Sequence, residues 1–143
     1  MKNEKQTMKI VLDCGAFMPQ RAHPTDAGLD LFSTETKAIP PHGWLAFDTG
    51  VHVEIPHGYV GLITSKSGLM KKNGVTSRGT IDEGFTGSIQ AVLFNGDDKP
   101  LWIERGQKIT QLVVIPCITP EIEVVDQLEK TERGEGGFGS TGK

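Results

Sequence analysis

The stretch Lys108 to Cys117, KITQLVVIPC, is dominated by β-branched and apolar side chains, which fit a pleated, half-buried surface better than a helix. The same character recurs in Lys9 to Leu12, Leu45 to Ile55, Tyr59 to Thr64 and Ser88 to Asn95, with Gly, Pro, Asn and Asp between the runs. Each run is read as a strand and the chain as all-β. Many short strands joined by turns predict a jelly roll or distorted β-barrel, because closing a sheet disposes of its exposed edges. One short helix is expected from Ser67 to about Asn73, started by serine and stopped by Asn73-Gly74.

At 143 residues the chain reads as one domain, residues 1–128, with residues 1–7 frayed and an extended C-terminal arm over residues 129–143. The core is modest, and a partner subunit is expected to help close any cleft. A formal charge of −3 gives no basic field, so no nucleic-acid polymer is expected as a partner, although local lysines and arginines can hold a small anion. Cys14 and Cys117 lie far apart and outside any CxxC pattern; with no signal peptide and no apolar run of membrane length, a soluble cytoplasmic protein with free thiols is predicted. His23, His42, His52 and His57 show no zinc spacing and are read as loop or strand-end residues.

The arm ends in Arg133 to Gly142, RGEGGFGSTG. Glycines let backbone N–H groups approach an anion, Ser140 and Thr141 add hydroxyl donors, and Arg133 adds a planar fork of charge. Phe138 has no core of its own, so it is free to close over a flat ligand such as a nucleobase. Gly/Ser-rich tails are ordinarily solvated, and it is the arginine, ring and hydroxyls that argue for a ligand. Gly134, Gly136 and Gly139 satisfy GxGxxG, but no strand–helix context surrounds them, and no P-loop occurs elsewhere.

Three further clusters are polar. In AHPTDAGLDL, Ala22 to Leu31, Asp26 reads as an Asx turn, while Asp30 between Leu29 and Leu31 would face away from both in a strand, toward a site. Ser65, Lys66, Ser67 and Gly68 precede the short helix, which makes either a phosphate site or an ordinary cap with a solvated lysine. In GTIDEGF, Gly79 to Phe85, Asp82 stands at the top of a hairpin, where a carboxylate either activates a water or merely supplies a turn.

In order, AHPTDAGLDL, SKSGL, GTIDEGF, GQKITQL and RGEGGFGSTG resemble the five motifs of the homotrimeric dUTPases, over Ala22 to Gly142. The resemblance implies a jelly-roll trimer whose active sites are each built by three chains, and hydrolysis of dUTP to dUMP and pyrophosphate, keeping uracil out of DNA and supplying dUMP for thymidylate synthesis. Asp82 would activate the water that attacks the α-phosphorus. Gly79, Thr80, Ile81 and Gln90 would read uracil through the hairpin, with Phe85 stacked beneath the deoxyribose. Lys66, Ser67 and Gly68 would hold phosphates and Gln111 would help place them or the water. Arg133, Gly139, Ser140 and Thr141 would grip the γ end while Phe138 caps the base. The implied cofactor is Mg2+, carried mainly by the phosphates, with Asp30 touching its hydration shell.

Lys66 and Lys108 stand where arginine is usual in these motifs, which keeps the charge and loses the bidentate fork. Phe85 stands where tyrosine is common, and Gly84 replaces an acidic residue. Two alternatives share the fold. The dCTP deaminases carry a similar third motif, but their glutamate on the following strand aligns with Val92, which cannot shuttle a proton. A nucleotide-responsive regulatory protein would bind without turnover.

Overall fold

The computed structural model describes residues 6–142, so the fraying expected at the N-terminus falls, for residues 1–5, outside the described residues. Ten strands and one helix follow in the order β1 (Lys9–Leu12), β2 (Leu29–Phe32), β3 (Lys37–Ile39), β4 (Trp44–Asp48), β5 (Val51–Glu54), β6 (Tyr59–Ser65), α1 (Ser67–Asn73), β7 (Thr76–Ile81), β8 (Gln90–Phe94), β9 (Leu101–Ile103) and β10 (Lys108–Pro116). The expected all-β class holds. A curled six-stranded sheet in the order β2-β10-β6-β7-β8-β4 forms a half-barrel, and the ribbons β1-β5 and β3-β9 complete a jelly roll.

β10 is the hub, hydrogen-bonded antiparallel to β2 on one side and to β6 on the other, which is why its segment carries the strongest apolar pattern. Ile109, Thr110 and Leu112 are all buried. Two core clusters result. Leu31, Val51, Val53, Ile63, Ile81 and Leu112 fill one, and Ile39, Phe47, Val75, Leu93, Ile103 and Ile109 fill the other. Each such side chain contributes about 1.5–3 kcal/mol of transfer free energy. Asn95, fully buried between β8 and β9, donates to the carbonyls of Ile39 and Lys99 and accepts from the N–H of Asp97, so a polar core residue is satisfied while it pins a loop.

Two expectations need correction. Leu45 to Ile55 is not one strand: at Thr49-Gly50, with Gly50 at φ 65, the chain leaves β4 and turns into β5 in a different sheet. The helix keeps its expected span, and Gly74 ends it in the left-handed conformation (φ 63) with its N–H on the Met70 carbonyl. Serine does not start it, however. The capping position is Lys66, with extended backbone and no side-chain cap bond, and Ser67 is the first helical residue.

Candidate active site

β7 and β8 neighbour each other in the sheet but pair only at Thr76↔Phe94 and Ser77↔Leu93. Beyond those two pairs they splay, and the gap between them is a pocket of about 280 Å³. The simple hairpin expected from sequence is thus an open fork. Gly79, Thr80, Ile81, Asp82, Phe85 and Gln90 all line this pocket, together with Arg78, Ser88 and Val92. Asp82 is exposed where the chain leaves β7 and is the one carboxylate among the described lining residues.

The loop from Asp82 to Ile89 begins with a turn in which the N–H of Phe85 donates to the Asp82 carbonyl at 3.1 Å and Gly84 takes φ 89. A positive φ at the third turn position explains glycine in place of an acidic residue there. The ring of Phe85, half exposed, lies over Gly87, where an added Cβ would stand 2.7 Å from the ring.

Having left the β ladder, the loop is tied down by side chains from the segment 48–57. Glu83 accepts from the His57 ring at 2.8 Å, and the Thr86 carbonyl contacts the His52 ring at 2.7 Å. Ser88 and Gln90 both donate to the Asp48 carboxylate, and Ile89 exchanges backbone bonds with Val51 and Thr49. Burial works against the charge on Asp48, but the bonds from Ser88, the Gly50 N–H and Gln90 outweigh it and hold the group below the ordinary carboxylate range. The bond from His57 likewise lowers Glu83. These anchors, and Arg78 and Ser88 in the pocket, escaped sequence reasoning. The only signal was alternation: with Val51 and Val53 buried, His52 must point out of the core toward whatever crosses it.

A second group of predicted residues gathers around β2, β6 and β10. Asp30, 3 % exposed, receives the Lys66 ammonium at 2.5 Å, and Lys108 stands 3.5 Å from its other oxygen. Lys66 is therefore not a solvated cap but half of a largely buried ion pair. Ser65 turns away from the expected convergence and bonds the backbone of Ser77. Gln111, opposite Asp30 in the β10–β2 register, donates to the Ser65 carbonyl at 3.0 Å. The end of its side chain lies against Gly28, where an added Cβ would stand 2.0 Å from Oε1. Gly68 and Lys66 open, with Lys71, Lys72 and Lys108, onto a cationic cleft of about 670 Å³.

The arm residues Arg133, Phe138, Gly139, Ser140 and Thr141 reach neither group. All are exposed, Phe138 fully and at φ 51. Their hydrogen bonds are local, such as Arg133 Nε to the Gly136 carbonyl at 2.8 Å.

The sequence pattern of the dUTPase family matches residues 15–142. The chain belongs to the dUTPase family. Among its relatives, a Clostridium tetani deoxyuridine 5'-triphosphate nucleotidohydrolase is 46% identical over 96% of this chain and 97% of that protein. The dUTPase of Staphylococcus bacteriophage 80alpha, solved with dUPNHPP, superposes at a TM-score of 0.89 with 36% identity, over 96% of this chain and 99% of that one. A D95N mutant dUTPase from phage phi11 of S. aureus, whose structure describes the coordination of a structural Mg(II) ion, superposes at 0.80 with 33% identity, over 87% of this chain and 100% of that one. For this dUTPase-family chain, no helix among the described residues is long and apolar enough to cross a membrane.

Proposed function

We propose that this protein hydrolyses dUTP to dUMP and pyrophosphate, with Asp82 orienting and deprotonating the water that attacks the α-phosphorus. The observation that carries the reading is the fork between β7 and β8: a narrow pocket with Asp82 as its carboxylate, lined by Gly79, Thr80, Ile81, Gln90 and Phe85. A uracil ring seated between the splayed strands meets unpaired backbone groups, and those groups discriminate bases by hydrogen-bond complementarity. Phe85 offers its face to the deoxyribose, where a 2′-hydroxyl would press on the ring.

Lys66, Ser67, Gly68 and Gln111 take the phosphates. Asp30 holds the Lys66 ammonium in place, which substitutes for the orientation an arginine fork would provide. Among the described residues no three carboxylates, histidines or cysteines cluster as a metal site. The donor set suits Mg2+ carried chiefly by substrate phosphates and water, with Asp30 as the candidate protein contact to its hydration shell. When bound, the ion neutralises charge on the pyrophosphate leaving group.

The described arm stands clear of the pocket in a single chain, and Ile118, Ile122, Val124 and Leu128, which lead into it, are almost fully exposed. Such a run favours burial against another copy. We read it as residues 129–143 crossing to a neighbour in a homotrimer, where Arg133, Gly139, Ser140 and Thr141 close on the phosphates and Phe138 on the base.

The deaminase alternative fares poorly because Val92 lines the pocket where an acid is required. A panel of dUTP, dTTP, dCTP and UTP, each with and without magnesium, tests the reading. Equal dUMP and pyrophosphate from dUTP is the expected result; ammonia from dCTP, or tight dUTP binding without turnover, would overturn it.

A further inference from the structure

The fork has a cost: between Ser77 and Gln90 β7 and β8 are not paired with each other, so the loop bearing Asp82 and Phe85 depends on side-chain anchors for its shape. One of them has an unusual requirement. His52, on β5 opposite Val11 of β1, lies with Nδ1 2.7 Å from the carbonyl oxygen of Thr86 and Nε2 3.0 Å from Oδ1 of Asp13. Both partners are acceptors only. A neutral imidazole carries one N–H, so it can satisfy one of them; the imidazolium satisfies both.

The two contacts are unequal when the proton leaves. A carboxylate is the stronger acceptor, so the neutral tautomer keeps Nε2–H on Asp13 and turns the bare lone pair of Nδ1 toward the Thr86 oxygen. Two lone pairs at 2.7 Å repel, and the loop gives way. Thr86 follows Phe85 directly and precedes Gly87, over which the Phe85 ring lies. A shift at Thr86 therefore moves the ring that faces the sugar.

We propose that His52 is a positioning residue for base and sugar recognition: as an imidazolium it bridges Asp13 to the Thr86 carbonyl and fixes the uracil-reading loop, and its deprotonation releases that loop. The proposal rests on the reading of the fork as the dUTP site.

The surroundings agree with the geometry. Asp13 faces His52 from the end of β1 and Asp48 from β4, while the loop presents only the uncharged Thr86 carbonyl to it. Lys9 and Glu54, on the same ribbon, pair with each other at 3.6 Å. Of the loop's two carboxylates, Glu83 is engaged by His57 and Asp82 lines the pocket between β7 and β8. The Thr86 carbonyl, and then Asp13, raise the pKa of His52 above its ordinary value of 6.5. A raised value means the bridge is complete below the ordinary histidine range and is lost as pH rises through the folded value, so the effect appears from neutral pH upward.

The test follows the His52 ring by NMR in the full-length protein as pH rises from 5.5 to 9, and measures KM and kcat for dUTP with magnesium over the same range. In the wild type, KM should climb about tenfold, the loss of one hydrogen bond to a charged group, with a midpoint matching the His52 titration. His52→Gln, whose two N–H groups share one nitrogen and so cannot span acceptors held at separate ring nitrogens, should show the raised KM already at pH 6 and lose that midpoint, with the loss falling on KM rather than kcat. Asp13→Asn lowers the NMR midpoint by removing the carboxylate, but its amide can donate to a bare Nε2, so the neutral ring keeps Nδ1–H on the Thr86 carbonyl and the KM step should vanish. Because substrate phosphate and uracil also titrate, the readout is the difference between wild type and variants. An unchanged KM profile in His52→Gln, or a KM step that persists in Asp13→Asn, overturns the role of His52. No dUTP turnover in the wild type at any pH overturns instead the reading of the site beneath it.

Discussion

The loop from Asp82 to Ile89 and the arm from Glu129 to Gly142 are both glycine-rich, both carry one phenylalanine, and both are assigned to the nucleotide, yet they are held in opposite ways. The loop's anchors come from far along the chain: Glu83 meets His57 across 26 residues, Thr86 meets His52 across 34 and Ser88 meets Asp48 across 40. In the described arm, Gly134 bonds Thr131 and Arg133 bonds Gly136, each three residues away. Bonds of the first kind exist only once the barrel has folded, so the loop's shape comes with the fold. Bonds of the second kind shape turns without placing them. Ordering the arm costs about 1–2 kcal/mol per residue of backbone entropy, which on the proposed reading comes from a ligand and a neighbouring subunit. Under the proposed function the division is useful: base recognition would be preformed, and closure would follow from binding.

The sharpest way to break this comparison is at the carboxylate. Asp82→Asn should lower kcat by about 10²–10⁴-fold, the usual weight of a general base, while dUPNHPP binds with nearly unchanged affinity in calorimetry. An active variant removes Asp82 from the mechanism. Next in size, ending the chain at Glu132 should lower kcat/KM by about 10²-fold through lost positioning and leave Tm unmoved, since the arm's residues are exposed; a fall in Tm would show that it belongs to the fold. Gly87→Ala places a methyl 2.7 Å from the Phe85 ring, so the ring must leave, and preference for dUTP over UTP should drop by about tenfold in paired kinetic assays.

The smallest effect is one of pH. Asp48 and Glu83 are both held below the ordinary carboxylate range. Their contribution is therefore present above that range and lost as pH falls through the folded values, on the acid side of it. Hydrogen-exchange protection of the loop amides should decline in that window, whereas arm amides should show little protection at any pH. Equal behaviour of the two segments would erase the distinction.

What could be read from sequence divides along the same line of local against distant causes. The helix span was legible because Asn73-Gly74 is a local stop, and Gly74 does take the left-handed conformation. Its cap was misread because Lys66 is fixed by a carboxylate 36 residues away, which no serine rule anticipates. The strand runs of β1, β6 and β10 announced themselves through packed β-branched residues. β7, TSRGTI, did not, because four of its six residues are exposed and its far half lines a pocket instead of a core. The pocket residues were legible as a motif, and the histidines beneath them were not, since their role is defined by the loop that crosses them.

Gly28 carries a consequence for anyone who would re-engineer the anion-handling end of the site. Any replacement at that position adds a Cβ that meets the Gln111 amide, so even alanine would make that side chain swing aside. On the proposed reading, position 28 thus tunes the glutamine from a distance, without touching Lys66 or Lys108.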